Sequence, residues 1–296
     1  MRAAVFDQFG PPSVLRITER PDPVPGPGQV RVRVRAAGVQ PFDVAVRRGQ
    51  MPWAKVSFPQ TIGQEYAGEI DQAGEGFSVG DAVLGSTMMN GAADYVVVPA
   101  ADVVPKPPNI DFATAAALVA ASQTASGALL ELGVGPDDVL LVHGASGSVG
   151  TVATQLARLA GATVIGTAGP ANHDRLRRMG ALPVAYGPGL VEAVRALGPQ
   201  PTVALDTAGG ETLAQSAELG VPLDRIGTIA DDKAAAEVGA RVVRAGRDPK
   251  RLAEVIGLAA QGKILIEVRP FPLADIAEAH AAVESRHSGG KVVLIL

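Results

Sequence analysis

The chain has no cysteine among its 296 residues. That absence excludes disulfides, thiolate nucleophiles, iron–sulfur clusters and every cysteine-containing zinc site. Histidine is scarce too. His143, His173, His280 and His287 are the whole supply, and no two have the spacing of a metal-binding helix, so no metal site is expected. Aromatic residues make up 4% of the sequence, with a single Trp at position 53. Positive charge is not in excess: 26 Lys and Arg stand against 30 Asp and Glu, and a net charge of −4 gives no general attraction for nucleic acid. Uninterrupted apolar runs stay below the ~18–20 residues of a membrane span. Asp7 appears before a signal-like apolar core forms. The expectation is a cytoplasmic protein with neither nucleic-acid nor membrane partners.

What is present supports a folded chain of about two domains at roughly 100–200 residues each. Hydrophobic residues fill 47% of positions and charged residues 19%. The 35 Gly and 23 Pro fall mostly between apolar runs, as turns. Val30-Arg31-Val32-Arg33-Val34-Arg35 alternates strictly, the period of a strand with one buried face. Before it, the proline-rich stretch 21–28 predicts an extended connector. Short apolar runs at 69–70, 81–84 and 95–98 complete an irregular β region. From about Asp111 the pattern changes. Residues 112–132 read as one or two helices, and strands then alternate with helices, which argues for a parallel sheet covered on both faces. Strands are expected at 139–142, 163–165, 184–185, 203–205, 226–229 and 242–243. Helices are expected at 175–179, 190–197, 211–219 and 249–260. Alternation returns at Ile264-Leu265-Ile266-Glu267-Val268, predicting a strand, and again at Val292–Leu296. This tail is expected to rejoin the first β region.

The sharpest motif is His143-Gly144-Ala145-Ser146-Gly147-Ser148-Val149-Gly150, set between a buried strand and an amphipathic helix. It reads as a dinucleotide fingerprint with Ala145 in place of the first glycine. Gly147 lets backbone approach a pyrophosphate, and Gly150 lets the helix pack on the strand. The next strand ends Val164-Ile165-Gly166-Thr167-Ala168-Gly169 without the carboxylate that would bind a ribose 2′-hydroxyl and repel a 2′-phosphate. Arg175, Arg177 and Arg178 follow closely, and a guanidinium fork suits phosphate oxygens. NADPH is therefore the expected cofactor.

These pieces, with Gly63-Gln64-Glu65-Tyr66-Ala67-Gly68, residues 76–85 and Gly290-Lys291-Val292-Val293-Leu294, occur in an order that resembles a known family. It is the zinc-free, ζ-crystallin-like NADPH:quinone oxidoreductase branch of the medium-chain dehydrogenase/reductase superfamily. The resemblance implies an α/β fold: a GroES-like β domain (1–118 and 262–296) and a doubly wound Rossmann domain (119–261). It also implies a homodimer. In the superfamily's zinc members a Cys falls where Gln40 stands and a His where Gln64 stands, and a carboxamide is a poor zinc ligand. By resemblance, Thr124 lies near the nicotinamide end, while Tyr186 and His173 lie near the 2′-phosphate.

The expected cofactor contacts are thus Thr124, Ala145, Ser146, Gly147, Ser148, Val149, Gly150, Thr167, His173, Arg175 and Tyr186. The expected reaction is metal-independent hydride transfer to a small-molecule quinone or conjugated carbonyl. Gln40, Asp43, Lys55 and Tyr66 are the candidates for the catalytic side, with Asp43 equally readable as a structural cap. Trp53 sits in a loop suited either to a flat substrate or to ordinary surface packing. Two alternatives remain open: an enoyl reductase acting on α,β-unsaturated thioesters or ketones, and a non-enzymatic NADPH-binding structural or regulatory protein.

Overall fold

A computed structural model describes every residue except Glu75 and His287, so the last of the four histidines lies outside the described residues. The backbone groups into two compact units. One comprises Met1–Ala120, Asp248–Gln261 and Ile266–Leu296; the other comprises Ala121–Arg247 and Gly262–Leu265.

The first unit begins with β1 (Arg2–Phe6), β2 (Leu15–Glu19), β3 (Gln29–Gly38), the short helix α1 (Pro41–Arg47), β4 (Gln60–Thr61), β5 (Glu65–Gln72), β6 (Ala82–Ser86), β7 (Tyr95–Pro99) and β8 (Val104–Pro105). In β3 the alternation has its expected physical result. Val30, Val32 and Val34 are buried in the unit's core. Arg31 and Arg33 reach Asp71, and Arg35 reaches Glu69, on the other face of the sheet. The connector at residues 21–26 has no regular structure.

Helix α2 (Phe112–Glu131) follows as one continuous helix. By length and composition it could cross a membrane, but 72% of its most apolar window is buried inside the fold. The second unit then builds a six-stranded sheet from β9 (Val139–His143), β10 (Thr163–Thr167), β11 (Leu182–Val184), β12 (Val203–Asp206), β13 (Ile226–Thr228) and β14 (Arg241–Val242). Its spatial order is β11-β10-β9-β12-β13-β14, with every pairing parallel. This is the Rossmann arrangement, and the chain reverses its direction of travel between β9 and β12. The intervening helices are α3 (Ser148–Leu159), α4 (His173–Arg178), α5 (Leu190–Ala196), α6 (Thr212–Glu218) and α7 (Asp232–Val238).

After α8 (Pro249–Ala260), the expected strand at 264–268 is absent; residues 264–267 are irregular, and β15 runs instead over Val268–Pro272. The side chain of Gln155 explains the difference. Its Nε2 donates to Leu265 O at 2.8 Å, and its Oε1 accepts from Leu265 N at 2.9 Å, so a helix side chain satisfies the backbone that a neighbouring strand would have paired. Helix α8 packs on β8, and Asn109 Nδ2 donates to Ala260 O at 2.7 Å. It thereby groups with the first unit. Helix α9 (Ile276–Glu284) and β16 (Lys291–Ile295) complete the chain, and β16 pairs antiparallel with β3 through Val293↔Gly38 and Ile295↔Ala36.

Candidate functional site

In the second unit the turn after β9 is held open by its neighbours. Gly144 takes φ +74°, which an L side chain rarely adopts. The Thr167 hydroxyl accepts from Gly144 N at 3.0 Å, and Thr167 O accepts from Ala145 N at 3.0 Å. Thr167 thus anchors the turn to β10 and is itself buried. Helix α3 starts from Gly147 with no side-chain cap. The amides of Ser148, Val149 and Gly150 lack intrahelical acceptors because of their place in the first turn. An uncapped helix start preceded by an exposed glycine fits a pyrophosphate, which would accept those amides at the positive end of the helix dipole. Gly150 is required by contact: a Cβ there would lie 2.7 Å from Ala145 Cα and closer still to Gly144 O.

The end of β10 gathers the residues expected around a 2′-phosphate. Arg175 Nη2 donates to Ser146 O at 2.6 Å, which ties α4 to the turn. His173 Nε2 donates to Ala168 O at 3.1 Å. Tyr186, 62% exposed, lies against Gly169, where an added Cβ would come 3.8 Å from its hydroxyl. Arg177 and Arg178 point away into solvent, with Arg177 paired to Asp174 at 2.6 Å. Thr124 is half-buried in α2 beside the buried Ser122 and Gln123. His143 is fully buried; its Nε2 meets Ser216 Oγ at 2.9 Å, and burial pushes its pKa down to about 4 despite the Asp206 carboxylate.

In the first unit, Gln40 and Asp43 form a reciprocal cap on α1. Asp43 Oδ2 accepts from Gln40 N at 2.9 Å, while the Gln40 side chain faces the Asp43 amide. Asp43 is buried, and desolvation lifts its carboxyl to about 7 against the pull of the Gln40 amide and of Lys291. Gln40 Nε2 and Asp43 Oδ1 have no hydrogen-bond partner among the described residues. Tyr66 is wholly buried, its hydroxyl close to Gly85, and burial raises its pKa. Lys55 is exposed on a loop. Trp53, 63% exposed, stacks on Phe42 with ring centroids 5.5 Å apart.

Sequence reading missed a buried ion pair in this unit. Lys291 Nζ lies 2.5 Å from Glu65 Oε1, and both side chains are buried. The available signal was a charge placed directly before the apolar residues that open each of two strands, Glu65-Tyr66-Ala67 and Lys291-Val292-Val293. Among the described residues no three His, Cys, Asp or Glu side chains converge as a metal-binding group.

Residues 26–108 match the alcohol dehydrogenase GroES-like domain family, and residues 179–294 match the zinc-binding dehydrogenase family. A human quinone oxidoreductase is 35% identical over 175 residues, which cover 57% of this chain and 53% of that protein. The chain thus spans about half the length of the curated relatives it matches. Among solved structures, one described as an NAD-dependent alcohol dehydrogenase is 30% identical with a TM-score of 0.89, covering all of both chains. The Escherichia coli quinone oxidoreductase, solved with NADPH, is 25% identical with a TM-score of 0.88, again over all of both chains.

Proposed function

Since the chain belongs to the medium-chain dehydrogenase/reductase superfamily, in its ζ-crystallin-like quinone oxidoreductase family, we propose that it is an NADPH-dependent, metal-independent reductase of quinones or conjugated carbonyl compounds. The observation that carries this reading is the uncapped, glycine-led start of α3 at the carboxyl end of β9. When bound there, NADPH supplies the hydride.

The residues of the chain provide placement. Ser148, Val149 and Gly150 offer backbone amides to the pyrophosphate, with Ala145, Ser146 and Gly147 shaping the approach. Arg175, His173 and Tyr186 meet the 2′-phosphate at the end of β10, where no carboxylate stands to repel it. Thr124 is assigned to the nicotinamide end by the family resemblance. In the first unit, Gln40 offers a carboxamide N–H to a substrate oxygen. A neutral donor of this kind stabilises the charge that develops on a carbonyl or quinone oxygen as hydride arrives. That role falls to Gln40 rather than Tyr66, which is wholly buried, or Lys55, which is exposed on a loop. Gln40 and Gln64 lack the donor chemistry zinc prefers. The same resemblance leads us to propose a cytoplasmic homodimer, which light scattering would check.

The test is NADPH oxidation against quinones, enones and enoyl thioesters, with and without a chelator. The expected outcome is turnover with quinones that the chelator leaves unchanged. Arg175→Ala should weaken NADPH binding by roughly tenfold or more, the scale of one charge-assisted hydrogen bond, and leave NADH nearly unaffected. Tight NADPH binding without turnover on any substrate would make the protein a binder instead. Exclusive turnover of enoyl thioesters would make it an enoyl reductase.

A further inference from the structure

The first unit brings Asp43 from α1, Glu65 from β5 and Lys291 from β16 into one place closed to solvent, each at most 6% exposed. One ammonium faces two carboxylates. With all three ionised the cluster would carry one uncompensated negative charge, and a buried charge without a partner is costly. Two carboxylates sharing a site resist ionising together.

The ion pair decides which carboxylate is the anion. Glu65 Oε1 lies in a salt bridge 2.5 Å from Lys291 Nζ, and Oε2 accepts from Ala120 N at 2.7 Å; the ammonium and the amide both favour an anion. Lys291 also donates to Val39 O at 3.1 Å. Gly38 packs its backbone against the arm of Glu65, where a Cβ would lie 2.7 Å from Glu65 Cγ, so that side is closed to water. Asp43 accepts from the Gln40 amide on Oδ2 and also meets the Gly63 amide, but it has no ion-pair partner, and its Oδ1 has no hydrogen-bond partner among the described residues.

We infer that Asp43 and Glu65, facing the one Lys291 ammonium, share a single carboxyl proton below neutral pH, carried on Asp43 Oδ1, so that the first unit holds a buried, exchangeable carboxylic acid beside Gln40. The groups acting on it are Glu65, which favours the proton, and Lys291 with the Gln40 and Gly63 amides, which oppose it. Burial is the larger influence and places the titration near neutrality. The inference concerns the apo chain and does not depend on which substrate is reduced.

Infrared spectroscopy of the full chain tests it without any cofactor. A carboxylic-acid C=O band that shifts in D2O is expected below neutral pH, fading as pH rises through about 7. Asp43→Asn should remove that band. Glu65→Gln should remove it as well, because Lys291 is then free to neutralise Asp43 and the proton leaves. A wild-type spectrum with no such band at pH 6 would overturn the inference. So would a band that survives Asp43→Asn, or one that persists unchanged in Glu65→Gln. If either variant fails to fold, the wild-type titration alone still decides.

Discussion

Gly150 shows how a single hydrogen atom can set a site. The space a Cβ would need is already filled by backbone of the phosphate turn, not by a flexible side chain that could swing aside. Gly150→Ala should therefore displace the turn, costing about 1–3 kcal/mol of stability, the usual scale of overpacking. It should also weaken dinucleotide binding, since the amides of Ser148 and Val149 move with the turn. Thermal melts with a parallel NADPH titration would check both; an unchanged melt and an unchanged affinity would show that the turn yields freely. This residue was legible in the sequence because its role is local: strand, glycine turn and helix follow one another directly. Asp43 was only half legible. Its capping of α1 follows from its place three residues after Gln40, but its burial beside Glu65 and Lys291 depends on strands far apart in the chain.

Elements with a clear period were readable, and those held by a distant side chain were not. The alternation in β3 and the β9–turn–α3 unit survive because periodicity reports directly on which face is buried. Residues 264–268 alternate equally well, yet Gln155 captures the backbone of Leu265, which is 65% exposed. Helix α1 escaped because it is seven residues long, begins with Pro41 and is capped by Gln40, an unusual capping residue. The Gln155 clamp makes a prediction at this scale. Gln155→Leu would leave the N–H and C=O of Leu265 without those partners and cost about 1–3 kcal/mol. Hydrogen exchange should report lost protection at the Leu265 amide, with the six-stranded sheet unaffected; a loss spread across the sheet would contradict a local role.

At the scale of the whole molecule, buried titratable groups shape how stability depends on pH. His143 and His280 are both buried, and burial pushes their pKa values down to about 4 and about 3, with Arg47 adding to the effect on His280. Their folded values lie below the ordinary histidine value near 6.5. They therefore stabilise the fold above pH 6.5, and that contribution is lost as pH falls towards 4 and 3. Asp43 acts in the opposite sense. Its carboxyl is raised from 3.8 to about 7, so its contribution is full below pH 3.8 and is lost as pH rises through 7. The melting temperature should rise from pH 4 to about 6.5, where two histidines outweigh one carboxyl, dip between about 6.5 and 7 as Asp43 ionises, and level off above that. Asp43→Asn should remove the dip while leaving the acid limb in place; a melting temperature flat between pH 4 and 6.5 would contradict neutral, buried histidines.

The pairing of β16 with β3 also bears on the order in which the protein can be made. Synthesis runs from the amino end, and domains generally fold as units as they emerge. A nascent chain that has reached Arg247 contains all six strands of the parallel sheet, but in its first unit Glu65 still lacks Lys291. The six-stranded sheet of the second unit, which lacks only Gly262–Leu265, can therefore assemble on the ribosome while the earlier-made unit waits with an unneutralised carboxylate and an unfilled place beside β3. The first part translated is the last to be finished.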